Sequence, residues 1–574
     1  MIFFTLIAAV LAAFYLYRYL TNPYIPRIKV AVPPETETGW KSNGKPSPDA
    51  DTIVCKCPAT GQFLDQYASM TGKEIDNAVK RASEAQVTWA KTSLDERRQV
   101  LNTLRQCILD NQEEIARIAC RDSGKTMLDA AMGEIMVTLE KLNWVCLHGE
   151  KSIRKSTRPG SSNVFMKYKS AYVIYEPLGV VSALVSWNYP LHNFIGPVIA
   201  ALFTGNAIVV KCSEQVVWSS KKFLQIVHDS LRLNGFDENV VQLVYCLPEH
   251  ADELTTHPGI SHITFIGSRP VAHKVVAAAA KTLVPVVVEL GGKDPLIALD
   301  SYTDINSLSS IILRGTFQSS GQNCIGLERI IAQPKIYELL KKNLSERVPK
   351  LRVGAPLDEQ NIDMGATITD ISSRIDPLIA DAVAKGATLV CGGKTYVHPL
   401  YPGGTYYSPT LLTEVTKDMK IAQTEVFGPV LTLMKAESGD EIEEIANSTE
   451  YALGAAIYGT SSDPILKRLV SNVKAGNIAV NDFATFYVCQ LPFGGCKGSG
   501  YGRFGGEEGL VGLCNIKSVC TDAYPFISTK IPKPLDYPIP NIPKAWDLVT
   551  AINMGYSNFR DICVALFTLA RKMS

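Results

Sequence analysis

Between residues 180 and 290 the chain repeats one unit, a short run dominated by apolar and β-branched residues followed by a longer helical stretch. The runs are 180–185 (VVSALV), 207–211 (AIVVK), 240–245 (VVQLVY), 263–266 (ITFI) and 285–290 (PVVVEL). A strand with one wet face alternates polar and apolar side chains, whereas a strand covered on both faces is apolar almost throughout. Buried strands separated by helices imply a parallel sheet with helices on both sides. A second series, at 297–299, 389–390, 430–433 and 476–480, repeats the pattern. The expected fold class is α/β, with two doubly wound parallel-sheet lobes.

Helical periodicity precedes the first series. Thr71 with Glu74 has the spacing of an N-terminal capping box, and Ile75, Val79 and Ala82 then recur on one face. Further helical stretches carry Leu101, Leu104 and Ile108, then Ile115, Ile118 and Ala119. Residues 164–175 are β-rich and read as a hairpin or extended arm.

The chain has 574 residues, more than one ordinary domain holds. Its 57 basic and 56 acidic residues nearly cancel, so a nucleic-acid partner is not expected. The 14 cysteines are spread widely and do not cluster with histidine, so no metal site is expected and the thiols read as reduced.

Residues 2–17 carry no charge, and Arg18, Arg27 and Lys29 lie beyond them. This pattern reads as a transmembrane anchor over 1–21 with the body in the cytosol, the endoplasmic reticulum being the default membrane. The expected organisation continues with a linker over 22–51 and a dinucleotide-binding domain over 52–289, which carries a hairpin arm at 160–177. A catalytic domain follows over 290–483. A return segment with an oligomerisation strand covers 484–520, and a proline-rich C-terminal extension covers 521–574.

Two motifs carry the chemistry. Glu289 opens Glu-Leu-Gly-Gly-Lys, and Cys324 ends Gly-Gln-Asn-Cys. A carboxylate and a lone thiol on separate glycine-bearing loops are the minimum parts for covalent chemistry at a carbonyl. Three further motifs, Ser186-Trp187-Asn188-Tyr189-Pro190, Lys211-Cys212-Ser213-Glu214 and Phe265-Ile266-Gly267-Ser268, each follow an expected strand. Ligands of open parallel sheets bind beyond the C-terminal strand ends, so the three point to one crevice.

With Glu425-Val-Phe427-Gly-Pro-Val and the Pro-Phe-Gly-Gly-Cys-Lys-Gly-Ser-Gly run at 492–500, these motifs resemble the aldehyde dehydrogenase superfamily in order and spacing. The two chain ends and the GQNCIGLERI segment resemble its fungal meiotic sister-chromatid recombination branch and the plant counterparts. The resemblance implies oxidation of an aldehyde to the acid through a cysteine thiohemiacetal and thioester, with NAD as cofactor and NADP as an alternative.

It implies Cys324 as nucleophile, Glu289 as general base and the Asn188 amide as oxyanion donor. Lys211 and Glu214 are implied at the adenosine ribose, Gly267 and Ser268 at the pyrophosphate, Glu425 and Phe427 around the nicotinamide half, and Trp187 as a further cofactor-binding residue. His192 reads as a packing residue. A homodimer or homotetramer is expected, and the anchor suggests a lipophilic aldehyde. The alternative is a catalytically silent scaffold that binds dinucleotide on this fold.

Overall fold

The computed structural model describes residues 25–46, 49, 51–483 and 488–573. These fall into two compact units. One comprises residues up to 150 and 177–513, and the other 151–176 and 514–574.

The larger unit holds two parallel sheets. In the first the strands lie in the order Gly500–Tyr501, Val286–Glu289, His262–Ile266, Val180–Leu184, Ala207–Lys211, Val241–Val244. All pair in parallel except Gly500–Tyr501, which runs antiparallel to Val286–Glu289 with Gly500 opposite Glu289. Every residue of the Val180–Leu184, Ala207–Lys211 and Val241–Val244 strands is buried, which is why they lack the alternation of a half-exposed strand.

The second sheet is ordered Thr388–Cys391, Thr410–Thr413, Val430–Lys435, Arg329–Ala332, Pro295–Ala298, Gly454–Tyr458, Asn477–Val480. Only its Thr388–Cys391 edge is antiparallel. The two faces of this sheet bury separate clusters, one around Ile297, Ile331, Ile457 and Ile442, the other around Leu296, Ile330, Leu308 and Leu340.

The helix expected at Thr71 is Gly72–Trp89, with the capping box formed and Ile75, Val79 and Ala82 buried. Leu101, Leu104 and Ile108 are buried on Leu94–Asp110, and Ile115, Ile118 and Ala119 on Gln112–Ser123.

The smaller unit carries a three-stranded sheet ordered Cys514–Asp522, Lys169–Pro177, Ser156–Arg158. Residues 164–166, within the expected arm, form a single 3-10 turn ahead of the strand. Two helices, Ile542–Asn553 and Phe559–Met573, complete this unit.

The membrane assignment requires correction. Among the described residues no helix is long and apolar enough to cross a membrane. Phe559–Met573 has 15 residues, below the roughly 20 a span needs, and the 18-residue Gly72–Trp89 is amphipathic and charged. The anchor expected at 1–21 lies outside the described residues. The fold class is therefore corrected to α/β lobes with no transmembrane helix among the described residues, and the single-pass endoplasmic reticulum localisation and membrane partner, which rested on that helix, are not supported.

Candidate active site

The parallel register brings the motif strands to one edge. Leu184 pairs with Lys211 and with Phe265, and Ile266 pairs with Glu289, so the four strand ends lie side by side. Each motif begins where its strand stops.

Ser186–Tyr189 turns the chain from the Val180–Leu184 strand into the helix Pro190–Thr204, with Pro190 in its first turn. No side chain of the turn caps this helix. Glu134 does so from a distance, its Oε2 accepting from the Leu191 N–H at 2.6 Å. Glu134 sits in a π-helical segment, Ala131–Met136, and its other oxygen accepts from Lys125 Nζ at 2.6 Å. Lys125 also donates to the Asn188 carbonyl at 2.7 Å and lies 4.2 Å over the Tyr189 ring.

Oδ1 of Asn188 accepts from Ser186 Oγ at 2.7 Å and from Asn193 Nδ2 at 3.2 Å. With the oxygen doubly engaged, Nδ2 must face the other way, and it donates to the Gln322 carbonyl at 3.1 Å. This puts a fixed amide donor against the loop that carries Cys324.

That loop is strained. Ser319 and Ser320 hold φ of 52° and 58°, and Gly321 follows at 73°. Left-handed non-glycine residues cost about 1–3 kcal/mol each and persist only where surroundings impose them. Here Asp129 Oδ2 accepts from the Ser319 N–H at 3.1 Å, and Ser320 Oγ donates to the Gly365 carbonyl at 2.9 Å. A Cβ on Gly321 would lie 2.2 Å from the Gly428 carbonyl oxygen, so glycine is required there on space as well as on φ.

Cys324 and Glu289 line one cavity of about 120 Å³, and Oε1 of Glu289 is buried there without a hydrogen-bond partner among the described residues. Glu289 is buried, and burial pushes its carboxyl up to about 7, against the opposing thiol and Gly291 N–H bonds. Burial and the neighbouring Glu289 charge hold the Cys324 thiol well above its ordinary value. The resting pair is therefore a neutral thiol beside a carboxyl that changes charge near neutrality. Ser499 and Gly500 secure the base, the Ser499 carbonyl accepting from the Leu290 N–H at 3.1 Å and Gly500 pairing with Glu289.

The remaining candidates flank this centre. Lys211 Nζ and Glu214 Oε2 stand 3.9 Å apart at the end of the Ala207–Lys211 strand. Gly267 donates its N–H to the Glu289 carbonyl at 3.0 Å, and Ser268 precedes the helix Arg269–Ala279 without capping it through its side chain. That helix start keeps N–H groups of the kind that receive phosphate oxygens. Ala272, one turn in, is buried.

Glu425 lies over the glycine turn after Glu289. Its Oε1 accepts from the Gly292 N–H at 3.1 Å, and a Cβ on Gly291 would approach that oxygen to 2.1 Å. Burial and Glu328 push Glu425 up to about 8. Phe427, at φ 47°, sets its ring edge-on to Trp187 at 5.6 Å.

Several supporting residues had no role in the sequence reading. Glu328 accepts from the Val426 and Phe427 N–H groups, at 2.9 and 2.8 Å, and from Lys293 Nζ at 2.6 Å, tying the Glu425 loop to the segment between Cys324 and the Arg329–Ala332 strand. The adjacent charges Glu328-Arg329 opening a buried strand were the available signal. Lys125, Glu134 and Asn193 gave none, because their partners lie far off in sequence or on the far side of a turn. Among the described residues no group of three His, Cys, Asp or Glu could hold a metal ion.

These features fit a dinucleotide: a lysine–carboxylate pair for a ribose, a helix start without a side-chain cap for phosphate, and a carboxylate beside two aromatic rings. The comparisons agree. The aldehyde dehydrogenase family model matches residues 46–519. A Saccharomyces cerevisiae aldehyde dehydrogenase-like protein is 51% identical over 99% of this chain and 92% of its own. A Mycobacterium tuberculosis succinate-semialdehyde dehydrogenase [NADP(+)] is 31% identical over 80% of this chain and 98% of its own. The crystal structure of a Mycobacterium tuberculosis aldehyde dehydrogenase complexed with NAD+ superposes with a TM-score of 0.76. It is 28% identical and covers 85% of this chain and 97% of that one.

Proposed function

The chain belongs to the aldehyde dehydrogenase family, and on that premise we propose that it oxidises an aldehyde to the carboxylic acid by covalent catalysis at Cys324. The observation that carries this reading is the placement of Cys324 and the buried Glu289 in the wall of one cavity, with the Asn188 amide directed at the same loop. NAD or NADP, when bound, supplies the hydride acceptor.

Glu289 is suited to two proton transfers. Its carboxylate takes the thiol proton as Cys324 adds to the carbonyl, and later takes a proton from the water that cleaves the thioester. A pKa of about 7 keeps both transfers feasible near neutrality. The Asn188 amide donates to the oxygen of the tetrahedral adduct, a contribution of about 10²–10³ in rate for such a donor. Lys211 and Glu214 grip the adenosine ribose, Gly267 and Ser268 receive the pyrophosphate, and Glu425, Phe427 and Trp187 frame the nicotinamide half. The Glu214 carboxylate favours a free 2′-hydroxyl, hence NAD, over a 2′-phosphate.

The cavity beside Cys324 is walled by Ile325, Leu491, Phe493, Pro197 and Ala200, which supports a substrate with a hydrocarbon body. The exposed Cys514–Asp522 edge strand supports pairing between copies in a dimer or tetramer. The deciding assay follows reduced-cofactor formation over a panel of aldehydes. Turnover by the Cys324→Ala variant would remove the covalent reading, and cofactor binding without turnover on any aldehyde would favour a silent scaffold.

A further inference from the structure

The cavity that opens on Cys324 and Glu289 has a second polar feature in its wall. Lys141, on the helix Val137–Ile153, lines it together with His192 and Gly196. Lys141 is only 7% exposed, yet among the described residues its amine makes no hydrogen bond or ion pair. A buried ammonium without a partner is costly, and such groups cluster where a ligand completes them.

Gly196 shows where that ligand would sit. A Cβ built on Gly196 would stand 3.7 Å from Lys141 Nζ and 3.9 Å from His192 Nε2. Both nitrogens therefore face one spot above bare helix backbone. His192 Nδ1 lies 3.1 Å from Thr138 Oγ1. With that hydroxyl donating to Nδ1, Nε2 carries the ring proton and is a donor. Burial and the charges of Lys141 and Lys125 push His192 down to about 3, so the ring stays neutral.

The other charged or titratable groups nearby leave Lys141 uncompensated. The Cys489 thiol is pushed up to about 11 by burial and is neutral. Lys125 is paired with Glu134, and Arg503 Nη1 donates to the Gly495 and Gly502 carbonyls. Glu289 lines the same cavity but makes no ion pair with Lys141.

One ammonium and one imidazole N–H side by side in a mostly apolar wall match the two oxygens of a carboxylate. We propose that Lys141, with His192 beside it, receives the anionic end of the substrate, an aldehyde carrying a carboxylate at the far end of an apolar chain. The proposal rests on the aldehyde-oxidation reading and narrows its substrate class.

The test uses the full chain and three matched series, ω-oxo carboxylic acids, their methyl esters and unsubstituted alkanals. Wild-type protein is expected to prefer an acid over its ester by about 10–100-fold in kcat/KM, mostly through KM, as for a hydrogen bond to a charged group. Lys141→Met should bring that ratio near one, with Tm unchanged or raised, since an apolar side chain replaces an uncompensated charge. Equal rates for acid and ester in wild type, or a ratio that Lys141→Met leaves intact, would overturn the proposal. The wild-type comparison decides alone if the variant does not fold. Absence of turnover on all three series would instead remove the aldehyde-oxidation reading beneath it.

Discussion

The cofactor-side crevice and the nucleophile chamber adjoin, but they are built on different principles. In the crevice, Lys211, Glu214, Gly267 and Ser268 act where strands end, and their geometry is local. Lys211 and Glu214 are three residues apart and already paired, and Ser268 is the residue before its helix. In the chamber much of the support is distant. Asn188 is aimed by Asn193 and Lys125, its helix is capped by Glu134, and the Cys324 loop is held in a strained conformation by Asp129 and Gly365. Groups placed locally at strand ends can be exchanged with graded effects. A buried, strained and charge-coupled chamber responds to substitution in large steps.

The largest effect should come from Cys324→Ala, which removes the nucleophile and should lower kcat by at least about 10⁴-fold without loss of cofactor binding. Glu289→Gln should follow, at about 10²–10⁴-fold in steady-state rate. The same residue sets the pH response. The base acts only when ionised, so kcat/KM should rise with pH through about 7, the value to which burial pushes it.

Stability should move the opposite way. Glu289 has a folded pKa above its ordinary 4.5, so its stability contribution is full below that value and is lost as pH rises through about 7. Glu289→Gln should therefore be more stable than wild type above about pH 7, by at most about 3 kcal/mol, and should show no such gain near pH 4. Thermal melts across pH would check the sign.

Asn188→Ala should cost about 10²–10³-fold in kcat/KM. Asn193→Ala sharpens the comparison, since Asn193 is proposed to act only by orienting the Asn188 amide. It should lose a smaller part of the same rate while the pH profile keeps its midpoint. The smallest effect belongs to the crevice. Glu214→Gln should shift preference toward NADP several-fold, read as a ratio of KM values, and leave saturated kcat nearly unchanged. A loss in kcat as large as that of Asn188→Ala would break the distinction between the two regions.

The first sheet was legible because two-sided burial leaves a plain mark, the apolar-dominated runs at 180–184 and 207–210, whereas the second was read only in part, its strands Arg329–Ala332, Thr410–Thr413 and Gly454–Tyr458 having been missed. The motifs were legible because glycine and proline mark turns, and Gly321 and Gly291 do stand at close backbone approaches. The support behind them was not. Glu134 caps a helix 57 residues away in sequence, and Lys293 meets Glu328 across 35. No local period encodes such pairs. The transmembrane reading of 1–21 failed differently. It rested on an uncharged stretch that lies outside the described residues and on the basic residues flanking it, and among the described residues no helix can cross a membrane.

The central claim is that Cys324 carries the acyl group and Glu289 releases it. The most direct measurement is the mass of the Glu289→Gln protein after incubation with an aldehyde and NAD(P)+. Glutamine no longer takes the thiol proton, so acylation is slowed, and it leaves the thioester's water without a base, so the acyl group is not released. The account predicts one reduced cofactor per chain and an acyl adduct that persists on Cys324. An unmodified Cys324 in a variant that has consumed cofactor would contradict it.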